Sequence, residues 1–391
     1  MHNGKIHIGR NPFVYGETVA GEHFADRLEE LKDLERDMLD GQTVFLISPR
    51  RYGKTSLILN LFRRLKNIEL ITIYVDLYRC ASLSQFLNQY LSLLLRVGET
   101  KLEKITRFVN ELLPSLKPTI SISQDGSINA ELGISPVDKD LSKITEEIID
   151  FPKRIAKKTK NKVIVAFDEF QEIRNFNGES LEKTIRSVIQ HHREVGYIFA
   201  GSKKHIIKDM IYREDRAFYK AGKVLSLGKI PRSIFAKFIN KKFETSGFTT
   251  APEVVAEILD ATYECPYFVQ YLCHELWDYY ADTKKIDKDG VNTVLAKIVA
   301  EESPIYLTIW TELTLHQRRL LQAIATCSGK NIFSQEYVMK HELTSPASVQ
   351  TSANLLTEKG ILDRENGDFY IEDVFFMYWI RYFGTPLSKQ P

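Results

Sequence analysis

What most constrains the fold of this chain is a set of short, almost wholly apolar runs that recur between helical stretches. The runs are Thr43-Val44-Phe45-Leu46-Ile47, Leu70 to Asp76, Val163 to Asp168 and Gly196 to Gly201. A strand that is apolar on both faces has no side left for water, so it must lie inside a sheet covered above and below. Periodic stretches such as Thr55 to Leu65 and Ser180 to Glu194 supply the helical cover. The fold class read from this is α/β with a parallel sheet. Lys223 to Leu227 is a weaker fifth strand.

At 391 residues the chain is long enough for two or three domains. A hydrophobic fraction of 43% with 27% charged residues is ordinary for a globular protein. The net charge of +2 gives no strong unspecific pull toward nucleic acid or anionic membrane. Cys80, Cys265, Cys273 and Cys327 are scattered and read as reduced thiols. Met1 to Pro12 is polar and is not expected to be a signal peptide, and no apolar run approaches a membrane span. The expectation is a soluble, cytoplasmic protein.

Three further segments organise the chain. Lys117 to Ser135 forms two alternating runs around Gln124-Asp125-Gly126-Ser127, a hairpin pattern. It carries no Lys or Arg between Thr119 and Ser135, so packing of Ile120, Ile122, Ile128, Leu132 and Ile134 on the core is favoured over a phosphate-binding arm. Pro231 to about Ala300 reads as helical throughout, with no strand. From Leu313 follow a helix to Thr326, a second over Ser334 to Glu342 with Ser334 as N-cap, a third from Ser345-Pro346 to Lys359, and a hairpin around Glu365-Asn366-Gly367-Asp368. Three helices and a hairpin are the order of a winged helix. The apolar tail Phe375 to Trp379 is read as core. The pairs His191-His192 and Lys284-Lys285, with Lys203-Lys204-His205, read as surface runs without a role.

The first strand runs into Ser48-Pro49-Arg50-Arg51-Tyr52-Gly53-Lys54-Thr55-Ser56. A phosphate-binding loop needs converging backbone N–H groups, a helix N-terminus behind them, and a Lys for the terminal phosphates. This strand–loop–helix segment has all three, and Thr55 offers a hydroxyl for Mg2+. Ser48 stands where the strict pattern G-x-x-x-x-G-K-[ST] has Gly. Asp168 and Glu169 follow the third strand directly. In that place Asp168 would hold Mg2+ and Glu169 would polarise an attacking water. Ser202, after the fourth strand, is a candidate sensor of nucleotide state.

Together these motifs resemble an archaeal-type ATPase among the AAA+-related STAND NTPases. Asn11-Pro12-Phe13, then Phe24-Ala25-Asp26-Arg27 and Glu29-Glu30-Leu31, resemble that family's opening motif. Ser48 to Leu57 resembles its phosphate loop, Phe167-Asp168-Glu169-Phe170-Gln171 its acidic strand end, and Ala200-Gly201-Ser202 its sensor strand. Tyr370-Ile371-Glu372-Asp373 with Trp379-Ile380-Arg381 resembles its closing winged helix. The resemblance implies a P-loop AAA+-like core at 1–228 with a hairpin insertion at about 117–135, a helical lid at 229–305, and a winged helix at 306–391. It implies an ATP and Mg2+ site in which Phe24 and Arg27 lie near the base. Glu264-Cys265-Pro266 keeps only Pro266 of the family's Gly-x-Pro in the lid. Arg213 and Arg216 fall where an arginine finger acting in trans would lie, and are read instead as solvated helix charges.

From Leu313 onward eight lysines and arginines balance eight aspartates and glutamates. Phosphate contacts dominate DNA affinity, and a neutral module has few to offer. The leading reading is an ATP-binding and ATP-hydrolysing switch, Mg2+-dependent and slow or partner-regulated, that acts on an unknown protein partner. A DNA-binding initiator or transposition-helper ATPase is the alternative, and an ATP-binding scaffold with little turnover a third. A nucleotide-dependent oligomer is compatible with all three.

Overall fold

The computed structural model of the chain describes residues 10–25, 27–66, 70–96, 102–133, 141–176, 178–365 and 367–384. It separates into two compact units, residues 18–229 and residues 1–17 with 230–391.

The first unit contains α1 (Leu28–Leu39), β1 (Thr43–Ile47), α2 (Lys54–Leu65), β2 (Leu70–Asp76), α3 (Leu83–Leu95) and α4 (Leu102–Leu112). It continues through β3 (Thr119–Ile122), β4 (Ile128–Glu131), α5 (Leu141–Thr159), β5 (Lys162–Asp168), α6 (Gly178–Ile189), β6 (Val195–Gly201), α7 (Lys204–Tyr212) and β7 (Lys223–Ser226). Five strands form one sheet in the order β2-β5-β6-β1-β7, every pairing parallel. Strand alternation explains its two cores. Val44 and Leu46 face one side with Leu57 and Leu61 of α2 and Leu34 and Met38 of α1. Phe45 and Ile47 face the other, among Phe167, Phe170, Phe199 and Phe218. The Phe167 and Phe199 rings stack 5.5 Å apart. Each such fully buried side chain contributes about 1.5–3 kcal/mol.

The strand order positions the site. Since β6 lies between β1 and β5, the loop after β1, the acids Asp168 and Glu169 at the end of β5 and Ser202 after β6 emerge at one edge of the sheet.

The hairpin β3–β4 lies on α3. The N–H groups of Ala130 and Leu132 donate to Ser92 Oγ and Asn88 Oδ1, both at 2.9 Å. Ile128 and Leu132 are buried, Ile120 is half-buried and Ile122 is exposed. Ile134 and Ser135 lie outside the described residues. The helix expected to reach Glu194 ends at Ile189. The chain leaves it because His192, read from sequence as a surface residue, is buried: Nδ1 is 2.7 Å from Tyr197 Oη and Nε2 is 3.0 Å from Asp150 Oδ1.

The second unit begins with α8 (Arg232–Thr245), β8 (Thr249–Thr250), α9 (Pro252–Ala261), α10 (Pro266–Tyr279), β9 (Lys285–Ile286), α11 (Lys288–Glu301) and α12 (Ser303–Thr311). The expectation of a strand-free segment therefore needs correction. The two-residue strands β8 and β9 pair in parallel where two interhelical loops meet, too short to carry a period of two. The winged helix follows as α13 (Leu315–Thr326), α14 (Gln335–Lys340), α15 (Pro346–Glu358), β10 (Leu362–Glu365), β11 (Asp368–Ile371) and α16 (Val374–Phe383). Thr314 closes a capping box with Gln317, so α13 starts two residues later than periodicity indicates. Ser334 and Ser345 cap α14 and α15. In α16, Phe375 packs on Phe268 and Tyr271 of α10 at 5.0 and 5.3 Å, as core. Among the described residues no helix is long and apolar enough to cross a membrane.

Candidate functional site

The loop between β1 and α2 is built so that its first position does not need Gly. Ser48 is buried; its N–H donates to the Gly201 carbonyl at 3.3 Å and its hydroxyl to the Pro49 carbonyl at 3.0 Å. The left-handed turns fall later, at Arg51 (φ 68°) and Gly53 (φ 84°). Only the second carries a glycine; Arg51 bears a cost of roughly 1–2 kcal/mol for that backbone. Gly53 is the N-cap of α2, and no acidic residue occupies the first turn. The leading N–H groups of a helix have no partner within it, and its dipole favours an anion there. Pro49 is buried, Tyr52 half-buried, and Arg50 and Arg51 are exposed.

Lys54, 6% exposed, turns from α2 toward the end of β5. Its ammonium lies 2.8 Å from Asp168 Oδ1 and 2.7 Å from Glu169 Oε1. Neutral donors fill the other acceptor sites of Asp168 and both sites on Glu169 Oε2. Asp168 Oδ1 accepts the Glu169 N–H at 2.9 Å, and Oδ2 accepts the hydroxyls of Thr55 at 2.6 Å and Tyr74 at 2.8 Å. Glu169 Oε2 accepts Ser202 Oγ–H at 2.7 Å and Gln171 Nε2–H at 2.5 Å. Burial works to raise both carboxyl pKa values, but the Lys54 charge and these donors outweigh it and hold both below the usual carboxylate range. Glu169 has a left-handed backbone (φ 51°) that turns the chain into the short 3-10 helix Phe170–Asn175, which carries Gln171 back to it.

The other sequence-derived residues are placed around this centre or away from it. Ser56 Oγ accepts the Val19 N–H at 3.1 Å, and Asn60 Oδ1 accepts the Gly21 N–H at 3.3 Å, which ties the segment before Phe24 to α2. Phe24 packs half-buried on the α2 side of the sheet. Arg27 is buried and donates to the Gly228 carbonyl at 2.7 Å and to Glu30 Oε1 at 3.0 Å. Pro266 opens α10 in the second unit. Arg213 and Arg216 lie after α7, not on a helix. Arg213 is exposed and paired with Asp215 and Asp209. The Arg216 side chain, 8% exposed, is bonded to the buried Glu182 and to Glu179. The solvated reading of Arg216 is thereby corrected.

Two contributors were not singled out from sequence. Tyr74 shares strand parity with Asp76, the register partner of Asp168, and is a hydroxyl-bearing ring in a largely aliphatic strand. Gln171 follows Glu169 by two positions. Its Nε2 donates to Glu169 while its buried Oε1 has no hydrogen-bond partner among the described residues.

The sheet, the loop and the acid pair define a P-loop ATPase with a parallel-sheet core and a C-terminal winged helix. The chain belongs to the family described as an ATPase domain predominantly from Archaea, matched over residues 24–256. Residues 304–382 match a probable winged helix domain. Among solved structures it is similar to a Walker-type ATPase of Pyrococcus abyssi, at 15% identity and TM-score 0.61, covering 92% of this chain and 97% of that one. It is also similar to the ORC2 protein of Aeropyrum pernix in ADPNP and ADP complexes, at 13% identity and TM-score 0.54, covering 95% and 97%. No curated protein matches the chain.

The residues present fit a nucleotide and Mg2+. A helix N-terminus, a Lys whose partners are exchangeable acids, and an oxygen-only set from Thr55 and Asp168 are the donors that phosphate and a hard cation require. The Thr55 hydroxyl donates its proton to Asp168, which leaves its oxygen lone pairs for a cation.

Proposed function

We propose that the chain binds ATP with Mg2+ at Lys54, Thr55 and Asp168, hydrolyses it slowly or under a partner's control, and passes the nucleotide state to a protein partner. The observation that carries this reading is the double ion pair of Lys54 with Asp168 and Glu169. Without a phosphate, Lys54 is the counter-ion of both acids. When a phosphate takes the ammonium, Asp168 Oδ1 and Glu169 Oε1 lose their common cation together. Ser202 and Gln171 keep hold of Glu169 Oε2, so Oε1 is the oxygen left to accept a proton from water. The site therefore acquires its general base only once the phosphate has arrived. Bound Mg2+ supplies charge neutralisation for the phosphate oxygens.

The partner is read as protein. The exposed face of α15 presents Gln350, Thr351, Asn354 and Leu355, and Gln350 and Asn354 are bonded to each other at 2.8 Å. A core of 1–228, a lid of 229–305 and a winged helix of 306–391 are the proposed moving parts, with Pro266 as the lid residue toward the nucleotide. The packing of Phe375 on Phe268 and Tyr271 of α10 supports a coupling of the proposed lid to the winged helix.

The test is ATP binding, phosphate release and particle size for wild type, Lys54→Ala and Glu169→Gln. The reading requires that Lys54→Ala lose binding and that Glu169→Gln bind without turnover. Wild-type binding with no turnover that Glu169→Gln can abolish identifies the scaffold instead. A salt-sensitive shift of duplex DNA selects the DNA reading.

A further inference from the structure

Asp168 accepts four hydrogen bonds, the capacity of a carboxylate, and they divide by kind. At Oδ1 one donor is the Glu169 backbone and the other is Lys54, the exchangeable one. At Oδ2 both donors are hydroxyls, from Thr55 and Tyr74. We propose that Tyr74 is a positioning residue for the divalent cation: its hydroxyl fixes Oδ2 of Asp168, and so aims Oδ1 and holds the Thr55 hydroxyl in its ligating orientation. This rests on the nucleotide reading of the same site and goes beyond it by assigning a residue of β2.

Local structure explains how β2 reaches the site. Tyr74 pairs with Ala166 and Asp76 with Asp168, so the period of two puts all four on one face. Ala166 has only a methyl group, and the Tyr74 ring, packed with the α2-side cluster, passes it to reach a carboxylate two residues further along β5. Carboxylate torsions have broad wells, so an aspartate left with only the Glu169 N–H at Oδ1 and the Thr55 hydroxyl at Oδ2 would be more loosely fixed about its last bond. Thr55 cannot supply the second restraint, because its one proton is already given to Oδ2. An ordinary tyrosine phenol is protonated throughout the neutral range, so Tyr74 is a donor there.

Tyr74→Phe keeps the packed ring and removes only the hydroxyl. Mn2+ affinity is read by electron paramagnetic resonance on full-length protein saturated with a non-hydrolysable ATP analogue. Analogue affinity in EDTA and the thermal midpoint of the ligand-free protein are measured alongside. Loss of an outer partner of a metal ligand weakens metal binding by roughly 10–100-fold. The expected result is thus about tenfold weaker Mn2+ binding with unchanged affinity for the analogue in EDTA. Mn2+ affinity within twofold of wild type overturns the assignment, whatever happens to the thermal midpoint, because a packing role moves the midpoint alone. If wild type binds the analogue with no response to Mn2+ and none to Lys54→Ala, the nucleotide reading itself fails and the role of Tyr74 falls with it.

Discussion

Lys54 reaches Glu169 across 115 positions of sequence and holds its ammonium 2.7 Å from Oε1. The same ammonium serves Asp168, so one cation balances the buried carboxylate of Asp168 and the half-buried one of Glu169. Removing it leaves two like charges side by side in a poorly solvated place. The ligand-free state thus depends on the residue that the phosphate is proposed to recruit.

Lys54→Ala is expected to destabilise the ligand-free protein by about 3–5 kcal/mol at pH 7, the cost of breaking a buried ion pair. The pH dependence follows from the lowered pKa values of Asp168 and Glu169. A carboxyl group with a depressed native pKa adds stability above its unfolded value of about 4, and loses it as pH falls through the native value. Wild type therefore weakens on acidification while Lys54→Ala, already without this contribution, weakens less. Urea unfolding at neutral and acid pH should show the gap between them closing. A gap that stays constant would place the stabilising role of Lys54 elsewhere.

Alanine at Gly201 should displace side chains of the site in a way that bears on turnover. A Cβ there would lie 2.6 Å from Gln171 Oε1 and 2.6 Å from an Ile207 carbon. Gln171 would have to move and release one of the two donors on Glu169 Oε2. A positioned general base contributes about 100–10,000-fold, and loosening it should forfeit about tenfold of that in kcat. Nucleotide affinity should hold, because Lys54 and Thr55 are untouched. Steady-state phosphate release with a binding titration checks this; a loss confined to affinity would contradict the positioning role of Gln171.

The parts legible in the sequence are those governed by short-range rules. β1 and β2 coincide with the apolar runs Thr43–Ile47 and Leu70–Asp76; in β1 the signal is uninterrupted because the strand is buried on both faces, whereas β2 is a half-buried edge strand whose aliphatic and β-branched residues carry it. Ser334 and Ser345 are helix caps by local chemistry. The grouping of Lys54, Thr55, Asp168, Glu169 and Ser202 follows from motif spacing once the strands are placed. What stayed hidden depends on partners far along the chain. Nothing near Tyr74 says that its hydroxyl meets Asp168, 94 positions on. His192 sits in a polar run, yet Asp150 and Tyr197 make its burial affordable in hydrogen bonds. Arg216 looks solvated until Glu182 is found on α6, a helix that precedes it by 34 positions.

That pairing makes Arg216 a structural residue of its own subunit. Arg216→Ala should leave Glu182, 1% exposed, without its main counter-ion and cost about 3 kcal/mol or more. The loss should be independent of protein concentration and largely recovered by adding Glu182→Leu. An arginine acting in trans would behave otherwise. Its alanine variant would keep wild-type stability, and its turnover would be rescued by mixing with Lys54→Ala subunits.

The winged helix offers the last discriminating measurement. Its eight basic residues from Leu313 onward are matched by eight acidic ones. On the exposed side of α15 the Gln350 amide is spent on Asn354, and Arg364 lies over the Phe369 ring. A DNA reader of this shape places cationic and amide side chains of that helix in the major groove and surrounds them with phosphate contacts. Even unspecific binders reach dissociation constants of roughly 1–100 μM at physiological salt through such contacts. With the charge balanced, no retarded band is expected for a duplex at low salt and micromolar protein, with or without ATP. A band whose affinity falls steeply between low and moderate salt would show that phosphate contacts exist. The partner of this ATPase would then be DNA, and the neutral face of α15 would not be the surface that meets it.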